Sequence, residues 1–236
     1  MRILAIDSSA TAASAALVED GKVLGEFYIN TKLTHSQTLM PMIDNVLKCT
    51  RADLQSVDLF AVSSGPGSFT GIRIGIASVK GLAMAQDKPC VGVSTLEAMA
   101  RNLEHMDGTV CAVMDARCGQ VYNAVFSAQG GSLERITEDR AISILDLAEE
   151  CKKYAKPLML VGDGAKLCYN NERFQSLHAL LPPEPLLYQR ACGVAKAACK
   201  VYEQGGAVSS AALMPVYLRP PQAERELKKR IEGENK

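Results

Sequence analysis

Four apolar residues followed by an aspartate occur twice in this chain, as Ile3 to Asp7 (I-L-A-I-D) and Cys111 to Asp115 (C-A-V-M-D). Each copy leads through a short loop of small residues into a second apolar run. At the constant offset of 108 residues, Val121 to Phe126 falls on Ala13 to Val18, and the Gln129-Gly130-Gly131 turn falls one residue beyond Asp20-Gly21. A pattern that restarts in this way predicts two similar halves, each opening on a β-hairpin; the alternative is two unrelated hairpins. With 236 residues, the chain is long enough for each half to bury a core of its own.

The hydrophobic period changes along each half. Ile3 to Ile6, Ala13 to Val18 and Val23 to Ile29 read as strands, with Asp20-Gly21 supplying a tight turn that needs positive φ. From Ser36 the apolar residues Leu39, Met42, Ile43, Val46 and Leu47 take helical spacing, with Thr34 or Ser36 as N-cap and Pro41 in the first turns or at a kink. Leu59 to Ser63 reads as a buried strand, Thr70 to Gln86 as a helix, Cys90 to Val93 as a strand, and Ser94 as the cap of a short helix to Arg101. The second half continues with a helix from Leu145 to Tyr154, a strand from Leu158 to Val161 and a Gly162-Asp163-Gly164 turn. A Pro-rich connection follows, then a helix with Ala191, Val194, Ala195, Ala198 and Tyr202 on one face. Met214 to Leu218 is expected to close a sheet. The expected division is 1–108, 109–221 and a charged tail, 222–236, which reads either as solvated or as a marginal helix carrying Ala223, Leu227 and Ile231.

Composition removes several functions. The 26 basic residues are balanced by 26 acidic ones, so the chain lacks the basic excess expected of an autonomous nucleic-acid binder, although a local basic patch can hide in a neutral total. Asp7 interrupts the apolar N-terminus too early for a signal peptide, and no run approaches the ~20 apolar residues of a membrane span, which predicts a soluble cytoplasmic protein. Eight cysteines with no Cys-x-x-Cys spacing read as small buried hydrophobes kept reduced. The three histidines, His35, His105 and His178, lie too far apart for a helical metal pair, and His35 beside a helix start reads as exposed or capping.

The most informative run is Ser64 to Arg73, S-G-P-G-S-F-T-G-I-R. A strand, a glycine-rich turn and a helix N-terminus converge there, the arrangement that presents free amides to an anion. It is not a Walker A loop, since no Gly-Lys-Ser/Thr follows, and the chain has no Gly-x-Ser-x-Gly elbow. Glycines inside the following helix cost about 1 kcal/mol each against alanine, so Gly71 and Gly75 must serve a close approach, either inside the fold or across an interface. Asp7 and Asp115, at strand ends, could orient a metal-bound water or a phosphate, or could accept loop N–H groups.

I-D-S-S at 6–9, H-S-Q-T-L-M-P at 35–41, the Ser64 to Arg73 run and M-D-A-R at 114–117 together resemble the TsaB (YeaZ) family, from Met1 to the Y-L-R-P element at 217–220. The resemblance implies an α/β, actin-like fold of two duplicated lobes, each a mixed sheet with flanking helices. It also implies a non-catalytic partner of a TsaD-type transferase and a TsaE-type P-loop ATPase in threonylcarbamoyladenosine synthesis beside the tRNA anticodon. Such a chain forms a homodimer when alone and meets tRNA only through the complex. Thr95 and Met99 then stand where the transferase carries its metal-binding histidines, so no metal and no catalytic residue is expected. Asp7, Gly162 and Gly164 mark a vestigial nucleotide site without a cofactor, weak ATP or ADP binding staying open. The implied partner surface lies on the first two helices, at Leu39, Met42, Ile43, Gly71, Gly75 and Val79. The alternative is an enzyme in its own right, kinase-like or a peptidase of the same superfamily.

Overall fold

The computed structural model describes residues 1–219, so Pro220-Pro221 and the charged tail lie outside the described residues. The first half builds β1 (Arg2–Asp7), β2 (Ala12–Glu19), β3 (Lys22–Asn30), α1 (His35–Thr50), β4 (Leu59–Gly65), α2 (Phe69–Gln86), β5 (Cys90–Ser94) and α3 (Thr95–Ala100). The strand order is β3-β2-β1-β4-β5, antiparallel across β3, β2 and β1 and parallel from β1 through β4 to β5.

The second half repeats the plan with β6 (Gly108–Asp115), β7 (Gln120–Gln129), β8 (Ser132–Arg135), β9 (Arg140–Ser143), α4 (Ile144–Cys151) and β10 (Leu158–Val161). Its central strand β6 has antiparallel β7 on one side and parallel β10 on the other, as β1 has β2 and β4. The plan repeats without the 108-residue offset holding in register: Ile3 pairs with Val18 across the first hairpin, but Cys111 pairs with Val125, one residue short of the match. This is the actin-like duplication. β8 and β9, absent from the sequence reading, line up end to end on β7 where the first half has the single strand β3. Each has four residues, of which three in β8 and two in β9 are charged or hydroxylic, too few to display a period.

Alternation along the strands sorts the core into layers. Leu4 and Ile6 face α1 and α2, whereas Ile3 and Ala5 face α8 (Ala191–Glu203). In the second sheet Cys111 and Val113 face α4, α5 (Ala165–Tyr169) and α6 (Glu172–Gln175), while Val110, Ala112 and Met114 face α3. Helices α3 and α8, packed on each other, therefore fill the space between the two sheets. Although α8 follows the second sheet in sequence, it lies on the first sheet, so a cut at residue 108 does not separate the packing. Between α6 and α8, the short helix α7 (Glu184–Leu187) completes the Pro-rich connection.

Three local expectations change. Tyr202 does not share the buried face of α8 and is 41% exposed. Met214 to Leu218 forms no strand; it crosses α2 and makes one backbone bond to β4, from Val216 N to Ser64 O at 2.8 Å. All eight cysteines are free and Cys90, Cys111, Cys151 and Cys168 are buried, but Cys49 and Cys118 are exposed.

Candidate functional site

The aspartate that ends β1 is wholly buried. Asp7 Oδ1 accepts the Ser9 amide at 2.9 Å and the Ser9 hydroxyl at 2.7 Å, and Oδ2 accepts the Ser63 hydroxyl from β4. Burial pushes its carboxyl above the usual range, against the pull of these bonds. Its donors are residues of its own loop and of the neighbouring strand, which is the loop-bonding role; it does not line the cleft described below. The next residue ties this loop to α2, for Ser8 Oγ donates to the Gly71 carbonyl at 2.9 Å.

His35 ties the same loop to α1. Its Nε2 lies 2.6 Å from the Ala10 carbonyl, so it is neither a free surface residue nor the helix cap; Thr34 holds the cap position, without a side-chain bond.

The glycine turn is shaped by close approaches. Gly65 and Gly67 have φ of +140° and +158°, and a Cβ on Gly67 would sit 2.5 Å from the Ser9 carbonyl oxygen. On Gly65 it would collide with the Val216 carbonyl. In α2, a Cβ on Gly71 would strike the Ser8 carbonyl, and one on Gly75 would lie 2.5 Å from Ser8 Oγ. Between the two uses left open by the sequence, the structure selects internal packing. Part of the anion-site character is also spent, because Ser68 N donates to Ser9 O at 2.7 Å and Gly71 N to Ser68 Oγ at 3.3 Å.

In the second half, Asp115 Oδ1 accepts the Arg117 amide at 2.8 Å, and Arg117 Nη1 lies 3.3 Å from Oδ2. The Gly162-Asp163-Gly164 turn folds against that strand end. Its glycine amides are engaged, Gly162 N with Leu187 O at 2.7 Å and Gly164 N with Val113 O at 3.1 Å, and neither glycine lines the cleft. A Cβ on Gly164 would come within 3.0 Å of the Asp115 amide nitrogen. Gly162 and Gly164 are thus explained by backbone packing, and they and Asp7, the residues expected at a nucleotide site, stand behind the cleft wall. Asp163, between them, accepts Gln189 Nε2 at 2.8 Å, and burial with the neighbouring Asp115 charge pushes its carboxyl up to about 6.

Both strand ends meet at a cleft of about 380 Å³ between the lobes, walled by Ser9–Thr11, Pro66–Phe69, Met114–Arg117, Tyr122, Asp163 and the segment Val216–Arg219. The sequence reading missed that segment because nothing in M-P-V-Y-L-R marks it for a cleft.

Thr95 and Met99 stand one turn apart on α3, both wholly buried between the sheets. Met99 packs with Leu96, Leu103 and Met114, and its Sδ faces Gly162. A thioether in a dry core and a lone hydroxyl do not fit a catalytic metal, which needs two or three imidazole or carboxylate ligands and an open position.

The residues expected to meet a partner are also interior. Leu39, Met42, Ile43 and Val79 are at most 5% exposed and join the core beneath α1 and α2, and Gly71 and Gly75 are closed by Ser8. The outward side of the two helices carries Met40, Asp44, Ala77, Gly81, Met84 and Ala85 instead. Periodicity identified the apolar face correctly, but that face is the one the lobe itself covers.

The family model for TsaD, tRNA N6-adenosine threonylcarbamoyltransferase, matches residues 22–175. The tRNA threonylcarbamoyladenosine biosynthesis protein TsaB of Bacillus subtilis (strain 168) is 35% identical over 71% of this chain and 73% of its own length. The protein of that name from Escherichia coli (strain K12) is 33% identical over 93% of this chain and 95% of its own. The solved structure of YeaZ from Pseudomonas aeruginosa superposes with a TM-score of 0.74 at 28% identity, over 92% of this chain and all of that one, 100%. By sequence and by fold, the chain belongs to the TsaB (YeaZ) family.

Proposed function

We propose that this chain takes part in threonylcarbamoyladenosine biosynthesis on tRNA as a non-catalytic subunit that binds and activates a TsaD-type transferase. The observation that carries this reading is the filled interior at α3: a fold matched by the transferase's family model holds Thr95 and Met99 in its core, where a metal-dependent relative needs ligands and open space. The occupied amides of Gly162 and Gly164 and the enclosed Asp7 favour a scaffold over a phosphotransferase.

The partner surface in this reading is the outward side of α1 and α2, where Ala77, Gly81 and Ala85 permit close helix approach and Met40 and Met84, 45% and 74% exposed, supply apolar contact. A homodimer through the same surface forms when the partner is absent. A TsaE-type ATPase joins the complex, which contacts the tRNA and works in the cytosol. No helix among the described residues is long and apolar enough to cross a membrane.

The test is reconstitution. The chain, the TsaD-type protein and the P-loop ATPase are mixed with tRNA and threonylcarbamoyl-adenylate, and the modified nucleoside is measured by mass spectrometry. Product that requires the chain, together with co-elution with the TsaD-type protein, supports the reading. Modification that proceeds without the chain overturns it, as does ATP or peptide turnover by the isolated chain that is lost in Asp7→Ala.

A further inference from the structure

Residues 209–219 leave the bridge between Val208 and Cys90 of β5 and run past α2 to the cleft, and the two ends of this segment are held differently. At the first end, Leu213 is 3% exposed and belongs to the core under α2, while Lys80 Nζ donates to the carbonyls of Ala211 at 3.1 Å and Leu213 at 3.2 Å. At the second end, Val216 is 52% exposed and Tyr217 38% exposed. This end is fixed by the bond from Val216 N to Ser64 O and by a surface stack. The Tyr217 ring lies 4.8 Å from that of Phe69, the Arg73 guanidinium covers Phe69 at 3.8 Å, and Arg73 Nε donates to the Tyr217 hydroxyl at 2.8 Å. Beyond the stack, Arg219 lies 5.9 Å from the ring of Tyr122, on the opposite lobe. The segment has a buried root, and its exposed tip, which bridges the mouth of the cleft, is held by one backbone bond to buried Ser64 and by the Phe69–Arg73 stack.

Val216 lies on Ser64 and Gly65, the part of the turn where the missing Cβ lets a backbone come close. A phosphate chain entering the cleft along the glycine turn would need that place. What stays open beside the tip has the size of a small-molecule site, about 380 Å³, and is lined by the hydroxyls of Thr11 and Ser68, the guanidinium of Arg117 and the carboxylates of Asp115 and Asp163. We propose that residues 214–219 are a hinged strap, rooted at Leu213, that competes with a nucleoside triphosphate for the mouth of the interlobe cleft. The strap, rather than a loss of every polar group in the cleft, then sets how weakly the free chain holds nucleotide. The proposal does not depend on the partner reading.

Two variants of the full chain test it: Val216→Pro, which deletes the donor to Ser64, and Tyr217→Ala, which removes the stack. Hydrogen exchange of 213–219 reports release, and calorimetry with Mg·ATP as probe reports affinity. If the strap is open in about one molecule in ten or fewer, its release tightens apparent ATP affinity about tenfold or more. ATP added to wild type should also speed exchange in 213–219. The proposal is overturned if a variant with fast-exchanging 213–219 binds ATP no more tightly than wild type. It is equally overturned if neither variant loosens the segment, or if ATP binds with no change in strap exchange.

Discussion

The imidazole of His35, in the first turn of α1, lies 2.6 Å through Nε2 from the carbonyl oxygen of Ala10, in the loop that walls the cleft. A carbonyl only accepts, so Nε2 carries a proton, and Nδ1 is buried with no hydrogen-bond partner among the described residues. Together with Ser8 Oγ on the Gly71 carbonyl, this contact fastens one short loop to both outer helices. Replacing His35 with alanine should cost about 1–2 kcal/mol in denaturant unfolding, the worth of a partly buried hydrogen bond with some packing. Faster hydrogen exchange at 8–11 should accompany the loss. Unchanged exchange there would show that the loop is held by Ser8 alone.

The glycines of α2 should separate by position. At Gly75 a Cβ meets Ser8 Oγ at 2.5 Å and Val62 at 3.2 Å, so Gly75→Ala should destabilise by about 1–3 kcal/mol. At Gly81 a Cβ meets nothing within 4 Å, so Gly81→Ala should stabilise by about 0.5–1 kcal/mol through helix propensity. Melting curves of the two proteins decide, and equal shifts would refute the packing account.

The same contrast sorts the partner surface. Leu39→Asp buries a charge in the lobe core and should unfold the chain, so loss of binding in that variant says nothing about an interface. Ala77→Arg and Gly81→Arg place a long charged side chain on the outward face, where the fold tolerates it. In a pull-down with the TsaD-type protein they should reduce binding at least about tenfold while leaving circular dichroism and melting temperature near wild type. Normal binding by both would move the interface off α2.

Asp163 gives a pH dependence with a defined sign. Its folded-state pKa of about 6 lies above the ordinary value of 3.8, so the folded state holds the proton more tightly than the unfolded chain. The stability this contributes is fully present below about pH 4 and is lost as pH rises through about 6. Asp163→Asn should therefore be more stable than wild type at pH 7.5, by about 1–2 kcal/mol because the group borders the open cleft, with the advantage shrinking below pH 5. A pH-independent difference would point to altered packing against Gln189.

The sequence by itself determined the duplicated strand-aspartate plan, the order of the major strands and helices, the turn glycines and the family. Each of these is written in local features: a period of 2 or 3.6, a residue free to take positive φ, a cap. Tertiary structure alone decided which neighbour each feature serves. Leu39 and Met42 mark an apolar face whether a sheet or another chain covers it, and only the sheet behind α1 shows that the lobe covers it. Gly75 signals a close approach without naming Ser8 as what approaches. The placement of α8 on the first sheet, of β8 and β9 on β7, and of Val216 over the glycine turn joins segments far apart in the chain. Such pairings are fixed by shape and by the satisfaction of distant polar groups, neither of which leaves a period in the sequence.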